Sequence, residues 1–510
     1  MTREATPMTI DTLPSQARDG RHIFYNGEYR EIVGTGRIDV RSPATNEGIG
    51  YMAVADASDV ARATKAAAKA FESWSALDPL DRARHLRKLA ELVRERITEL
   101  AGWESAVTGR PLREMRAQMA RIPEWIEYFA GIAPGLEGES NRLRGSFSST
   151  TSWQPYGVCA LLTPWNHPIL ILVKKLAAAL SVGNTVVIKP SELAPCTPLV
   201  FAAWCTEAGI PPGVVNVVTG EGATGASLCA SPEVRRIDLT GGTTTGRRVA
   251  AAAAERLVPC TLELGGKTPV VVFEDSDIEE AAAGAVFAAF VASGQTCVSA
   301  GRFIVQRPIY ERFLDAFVKR AAALKVGDPA DLATDVGPVI SYVSLQRIER
   351  MIQHATSAGA RLVTGGAAPQ FDGPLSAGNF MQPTIFADVK PDMELFQEEV
   401  FGPVVAVTPF DTEEEGLTLA NDSPYALGAS IWTRDIARAA RVGAKIRAGM
   451  IWINDHHKND PRSIWGGYGD SGYGVENGWD AIKSYLIKRN LIVSSNPKFD
   501  DWFKGGTRYG

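Results

Sequence analysis

The chain has 510 residues, 45% hydrophobic and 22% charged, with a formal net charge of −5. That length holds about three domains, and the weak acidity gives no electrostatic footprint for nucleic acid. No stretch reaches the roughly 18 apolar residues of a membrane span, so no membrane partner is expected.

Residues 1–20 mix charges with prolines and lack an apolar core, which reads as a loose tail rather than a secretory signal. Residues 21–135 lead into "SFSSTTSWQPYGV", which alternates Ser/Thr with other residues and predicts a β excursion. From about residue 157, short apolar runs alternate with helical stretches. "GVCALLTP", "NTVVIKP", "GVVNVVTG", "VRRIDLTGG" and "CTLEL" read as strands of a parallel, doubly wound sheet. "LGGK" at 264–267 interrupts the pattern, and a second α/β run follows. It includes a buried Ala-rich helix at 281–292, "GRFIVQ", helices at 310–325 and 341–357, "VVAVTPF" and "GMIWIN". The late run "SYLIKRNLIV" is strand-like and a candidate to pair with the early excursion.

Six cysteines without a C-x-x-C pair are too sparse for a disulfide scaffold and fit a reducing cytoplasm. Six histidines without H-E-x-x-H predict no metal site. One cysteine, Cys297, sits in "SGQTCVSAG", where an inert packed thiol and a nucleophile are both open readings.

Several turns carry further candidates. "GEGATG", with Gly222, follows a strand and opens a helix. It is a nucleotide-binding turn or a plain surface turn, since the acidic residue expected about 20 positions later falls at Asp238, inside a strand. "LTGGTTTGRR" offers Gly242 for close anion approach and Thr243 to Thr245 as helix caps. "IKPSE" puts Lys189 and Glu192 at the carboxyl end of a strand, as ribose ligands or as a solvated pair. "TPWNHP", residues 163–168, presents the Asn166 amide for a developing oxyanion. "LELGGK" places Glu263 in an apolar strand, where a carboxylate is costly without a partner or a task.

Together "PWN", "GNTVVIKPSE", "LELGGK", "GQTC", "EEVFGPV" and "GGYGDSGYG" resemble the aldehyde dehydrogenase superfamily, in order and along nearly the whole chain. The resemblance implies the hydrolytic, non-CoA-acylating type. Its fold has a variant Rossmann NAD-binding domain (21–135 and 156–264), an α/β catalytic domain (265–450) and a small β oligomerisation element (136–155 and 480–495). It implies Cys297 as nucleophile, Glu263 as general base and Asn166 in the oxyanion hole. NAD would lie against Thr163, Pro164, Trp165, Lys189, Glu192, Gly222, Gly242, Thr243, Glu399 and Phe401. A glycine at 242, where the family often has serine, removes a hydroxyl from the pyrophosphate site. Glu192 favours NAD over NADP, because a carboxylate accepts from free ribose hydroxyls and repels a 2′-phosphate.

The resemblance also implies an aldehyde substrate, a homodimer or homotetramer, and a tunnel lined by His167, Lys174, Val291, His456, His457 and Trp465. Those side chains predict a cationic mouth that draws a polar or anionic aromatic aldehyde or a semialdehyde. The competing reading pairs Lys174 and the loop charges with Asp455 or Asp460, or turns them to solvent. Rival activities are a CoA-acylating relative, which would lack the base glutamate, and a cysteine hydrolase or esterase, which would need a histidine partner that no local signature marks.

Overall fold

The computed structural model describes residues 10–496, 498–499 and 501–506. Two sheets organise it. The first has eight strands in the order Glu28–Glu31, His22–Tyr25, Val215–Val217, Thr185–Pro190, Val158–Thr163, Val234–Thr240, Cys260–Glu263 and Gly472–Tyr473. Its five central strands run parallel, and both edges are antiparallel. Val158–Thr163 and Thr185–Pro190 are buried along their whole length, as strands covered by helices on both faces must be. Among the parallel strands the chain starts at Val158–Thr163, builds outward to one side, then returns to build on the other. This leaves a switch point beside Val234–Thr240, where open α/β sheets bind ligands.

The second sheet has seven strands, ordered Arg361–Thr364, Thr384–Ala387, Val404–Phe410, Ala300–Gln306, Thr268–Val272, Gly428–Trp432 and Met450–Ile453. Residues 264–267 carry the chain from the last parallel strand of the first sheet to Thr268–Val272, an inner strand of the second. The carboxyl edge of one sheet therefore faces the amino edge of the other. Glu263 ends a strand on the first side, and Cys297 precedes Ala300–Gln306 on the second.

A third, three-stranded sheet joins Ser140–Arg142, Phe147–Pro155 and Leu486–Ser494, the last two antiparallel with Leu491 opposite Thr150. Its outer strand exposes Ile487, Leu491, Ile492 and Val493.

Two expectations about spans need correction. Residues 1–9 of the anticipated loose tail lie outside the described residues, but 10–20 are docked. Leu13 and Ala17 are buried, and Trp103 Nε1 donates to Thr12 Oγ1 at 2.9 Å. At the other end, 480–484 fall within the helix Gly478–Ser484, which buries Ala481 and Ile482 in the first core, so only later residues join the third sheet. Apolar side chains on an amphipathic helix bury more surface against a core than the rim of the three-stranded sheet offers.

Candidate active site

The turn that leads to Cys297 is built from strain held by its surroundings. After the helix Ile278–Phe290, Ala292 and Ser293 adopt φ of 54° and 56°, and Gly294 a φ of 71°. Non-glycine residues pay for that conformation, so it persists only where neighbours over-determine it. Here they do. Ala292 N–H donates to Glu114 Oε2 at 3.1 Å, and Ser293 Oγ donates to Gly337 O at 2.9 Å. The Gln295 side chain accepts from Ile340 N–H at 2.9 Å. A Cβ on Gly294 would meet Gly402 O at 2.3 Å, so only glycine fits there.

Cys297 follows, partly buried against Val298, Leu427, Met450 and Trp465. Its own N–H has no acceptor among the described residues. Asn166 Nδ2 donates to Gln295 O at 2.9 Å, which aims the amide at this turn and leaves its second hydrogen free. Burial pushes the Cys297 thiol up to about 12, with Glu263 and Glu399 adding to the rise and Lys174 opposing it. A thiol of that kind is protonated at neutral pH. In the nucleotide-free enzyme, alkylation of Cys297 by iodoacetamide is expected to climb about tenfold per pH unit from pH 7 to 9 without a plateau. A plateau near neutrality would show a thiolate held by a partner other than these.

Glu263 is 3% exposed, and neither carboxylate oxygen has a hydrogen-bond partner among the described residues. Burial holds its pKa well above the ordinary value, Glu476 adds to that, and Lys175 and Lys174 pull back. These neighbours form a buried ionic cluster. Lys175 Nζ donates to Asp238 and, at 2.6 Å, to Glu476 Oε1. Tyr485 Oη donates to Asp238 Oδ2 at 2.6 Å, and Arg236 lies 3.8 Å from the same oxygen. Lys174 sits 3.5 Å from Glu476 Oε2. Three cations thus meet Asp238 and Glu476, leaving one positive charge to be balanced by Glu263 or by an incoming anion. Burial and Glu476 outweigh that charge at Glu263 itself, whose carboxyl stays hard to ionise.

On the other side of the cleft, the residues fit a dinucleotide. The helices Gly222–Ala230 and Thr243–Glu255 begin without a side-chain cap, and neither Gly222 nor Gly242 has anything within 4 Å of a would-be Cβ. Their first N–H groups are left for an anion such as a pyrophosphate. The expected capping by Thr243 does not occur, because its hydroxyl donates to Asp470 O at 2.9 Å. Lys189 Nζ donates to Pro190 O at 2.9 Å and lies 3.7 Å from Glu192, at a carboxyl strand end. Thr163 Oγ1 is buried without a partner. Trp165, following Pro164, packs edge-on against Phe401 at 5.3 Å between ring centroids, and Glu399 Oε1 accepts from Gly266 N–H at 2.9 Å. Gly266 is required here, since a Cβ would meet Cys297 O at 2.4 Å.

The tunnel side is less charged than its sequence suggests. His167 Nδ1 accepts from Arg110 Nη1 at 2.7 Å and Gln118 Nε2 at 2.9 Å, which fixes the neutral tautomer with hydrogen on Nε2. That Nε2 is buried without a partner. Burial and Arg110 hold His167 well below the ordinary range, and burial with His456 brings His457 to about 3. His457 contacts the rings of His167, Phe287 and Trp465. His456 is spoken for: Nδ1 pairs with Ser430 Oγ at 2.7 Å and Nε2 with Val298 O at 2.8 Å, so it braces the Cys297 segment. Lys174 Nζ stands 4.3 Å over the Trp465 ring. The cationic mouth is corrected accordingly. Desolvation leaves all three imidazoles, His167, His456 and His457, neutral, and one ammonium, Lys174, paired with Glu476 rather than with Asp455 or Asp460. Val291 is part-buried at the end of the preceding helix.

The structure thus brings Cys297, Asn166 and Glu263 to one cleft with the tunnel and dinucleotide residues around them. Sequence reasoning missed Arg110, Glu114, Gln118, Lys175 and Glu476. Arg110 and Glu114 stand four apart, a spacing that surface pairs share, and Glu476 lies in a glycine-rich stretch with no pattern of its own.

A thiol and an unpartnered carboxylate lie between two α/β sheets, beside helix N-termini that no side chain caps, an arrangement suited to a nucleotide-dependent oxidoreductase. The model of the aldehyde dehydrogenase family matches residues 31–491, and the chain belongs to that family. It is an NAD-dependent aldehyde dehydrogenase, oxidising an aldehyde to a carboxylic acid. Similar curated proteins include the betaine aldehyde dehydrogenase of Cereibacter sphaeroides, 41% identical over 483 residues, covering 94% of this chain and 99% of that one. Another is the peroxisomal aminoaldehyde dehydrogenase 2 of Malus domestica, 39% identical over 500 residues, covering 96% and 98%. Among solved structures, PnpE in complex with nicotinamide adenine dinucleotide superposes with a TM-score of 0.93 at 40% identity, covering 95% and 100%. Betaine aldehyde dehydrogenase from Staphylococcus aureus in complex with NAD+ does so at 0.93 and 35%, covering 97% and 98%.

Proposed function

We propose that this enzyme oxidises an aldehyde bearing a carboxylate or hydroxyl, an aromatic aldehyde or a semialdehyde, through Cys297, Asn166 and Glu263. Cys297 Sγ gives up its proton to solvent water and, as thiolate, adds to the carbonyl carbon, whose oxygen becomes an oxyanion as the carbonyl π bond breaks. The free Asn166 amide hydrogen and the Cys297 N–H receive that charge. When bound, NAD supplies the hydride acceptor. Loss of hydride from the thiohemiacetal leaves a thioester on Sγ. Glu263 then takes a proton from water, the hydroxide adds to the thioester carbon, and the acid leaves as the C–S bond breaks. The unpartnered oxygens of Glu263 support hydrolysis over transfer to another thiol. Thr163, Lys189, Gly222 and Gly242 would hold the dinucleotide, with Glu192 favouring NAD over NADP and Glu399 and Phe401 at its reactive end.

The observation that carries the substrate reading is Lys174, 4% exposed, over Trp465 and beside a Glu476 more closely paired to Lys175. Its ammonium already occupies a face of the ring that a cationic head would seek. At about 5 Å and an effective dielectric of about 20, repulsion of a second cation costs about 3 kcal/mol, roughly a hundredfold. The unpartnered His167 Nε2–H adds a donor for an acceptor group. Relatives named for betaine aldehyde and aminoaldehydes are therefore poor guides to this substrate.

The test compares kcat/KM for 4-carboxybenzaldehyde, a carboxylated aliphatic semialdehyde, benzaldehyde, hexanal and betaine aldehyde, in wild type and Lys174→Met. Carboxylated aldehydes are expected to lead betaine aldehyde by about a hundredfold, and the substitution to shrink that ratio at least tenfold. A lead by hexanal or betaine aldehyde, or a ranking unmoved by Lys174→Met, sinks the reading. The exposed apolar strand Leu486–Ser494 supports pairing with a second copy, hence a homodimer or homotetramer. No helix among the described residues is long and apolar enough to cross a membrane, and the free cysteines suit a reducing cytoplasm.

A further inference from the structure

We propose that Arg110 and Glu114 are positioning residues that lock the oxyanion loop to the nucleophile turn. Arg110 is 3% exposed, placed by the left-handed Gly109 (φ 75°) and by Ser105 Oγ, which donates to Arg110 O at 2.7 Å. Its guanidinium reaches both halves of the site. One nitrogen, Nη1, donates to Asn166 O at 3.2 Å and to His167 Nδ1 at 2.7 Å. The other, Nη2, pairs with Glu114 Oε1, and Glu114 Oε2 accepts from Ala292 N–H at 3.1 Å. A planar fork and a two-oxygen acceptor thus connect the backbone of Asn166 to the strained turn five residues before Cys297. Neither side chain touches the reacting atoms. Their effect passes through the distance between an amide hydrogen and an oxyanion, where a misplacement of about 1 Å costs on the order of a hundredfold in rate. A guanidinium suits this task and an ammonium does not, because the fork geometry fixes two directions at once.

The connection makes the two residues one unit, so their losses do not multiply. The test is single-turnover NADH formation with enzyme in excess over benzaldehyde, a probe without an acceptor group, so that the result stands apart from the substrate reading above. Glu114→Ala is expected to slow it about 30- to 100-fold, with the NAD dissociation constant within about twofold of wild type. Glu114→Gln, which keeps an acceptor for Ala292, is expected to recover to within about fivefold. Arg110→Met with Glu114→Ala is expected to be no slower than the slower single variant. A rate for Glu114→Ala within about threefold of wild type, multiplied losses in the double variant, or NAD affinity falling in step with rate overturns the proposal. If Arg110→Met does not fold, the two Glu114 variants decide alone.

Discussion

Replacing Cys297 with alanine is expected to lower aldehyde oxidation by at least about 10⁴-fold while NAD affinity stays within about twofold. No other thiol can substitute. Cys159, Cys196, Cys205 and Cys229 are buried, and the part-exposed Cys260 opens the strand that ends in Glu263, with its sulfur 2.9 Å from Tyr473 Oη. The residues proposed to hold the dinucleotide lie on the first sheet and in the Glu399–Phe401 segment, and none of them needs the Cys297 sulfur. The lost side chain is small and only partly buried, so stability should change by about 1 kcal/mol or less. Isothermal titration with NAD beside a steady-state assay checks both halves. Residual turnover above a thousandth of wild type in a clean preparation would assign the chemistry elsewhere.

Glu263→Gln is the second large effect. Hydride loss precedes the step that needs the base, so the variant should release about one equivalent of NADH per active site and then stall. Steady-state turnover is expected to drop about 10²- to 10⁴-fold. The stalled enzyme should carry the acyl group on Cys297, visible as a mass increase on the intact protein. The amide is nearly isosteric, and the site already disfavours an ionised group there, so folding should be unharmed. A slow steady state with no burst and no acyl adduct would move Glu263 from thioester hydrolysis to the earlier step.

Much of the first sheet was legible because its strands are short β-branched runs between helices, and burial on both faces leaves no alternation to confuse the reading. "LGGK" was legible as an interruption because glycines break both periods at once. Cys297 and Glu263 stood out as reactive residue types in apolar runs, but the roles expected of them and of Asn166 came from the resemblance of the surrounding motifs. The ionic cluster was not. Lys175, Asp238 and Glu476 come from three distant segments, and only the packed fold shows that their charges share one buried space. The charge of the tunnel was misread for the same reason. A histidine in a sequence shows nothing of its surroundings, and only the fold reveals the burial that holds these imidazoles neutral even below the ordinary range. The docked residues 10–20 escaped because two small apolar side chains among charges give no period.

The crossing at residues 264–267 makes the enzyme its own strain gauge. Glu263 and Asn166 ride on one sheet and Cys297 on the other, joined by a short glycine-bearing tether and by side chains that span the gap. A slight swing of one layer against the other breaks the alignment while every helix and strand remains intact. Catalytic output therefore reports the mutual registry of the two layers more sensitively than any spectrum of secondary structure. Mild denaturant, or a cross-link between the layers, is expected to lower turnover before it changes the far-ultraviolet circular dichroism.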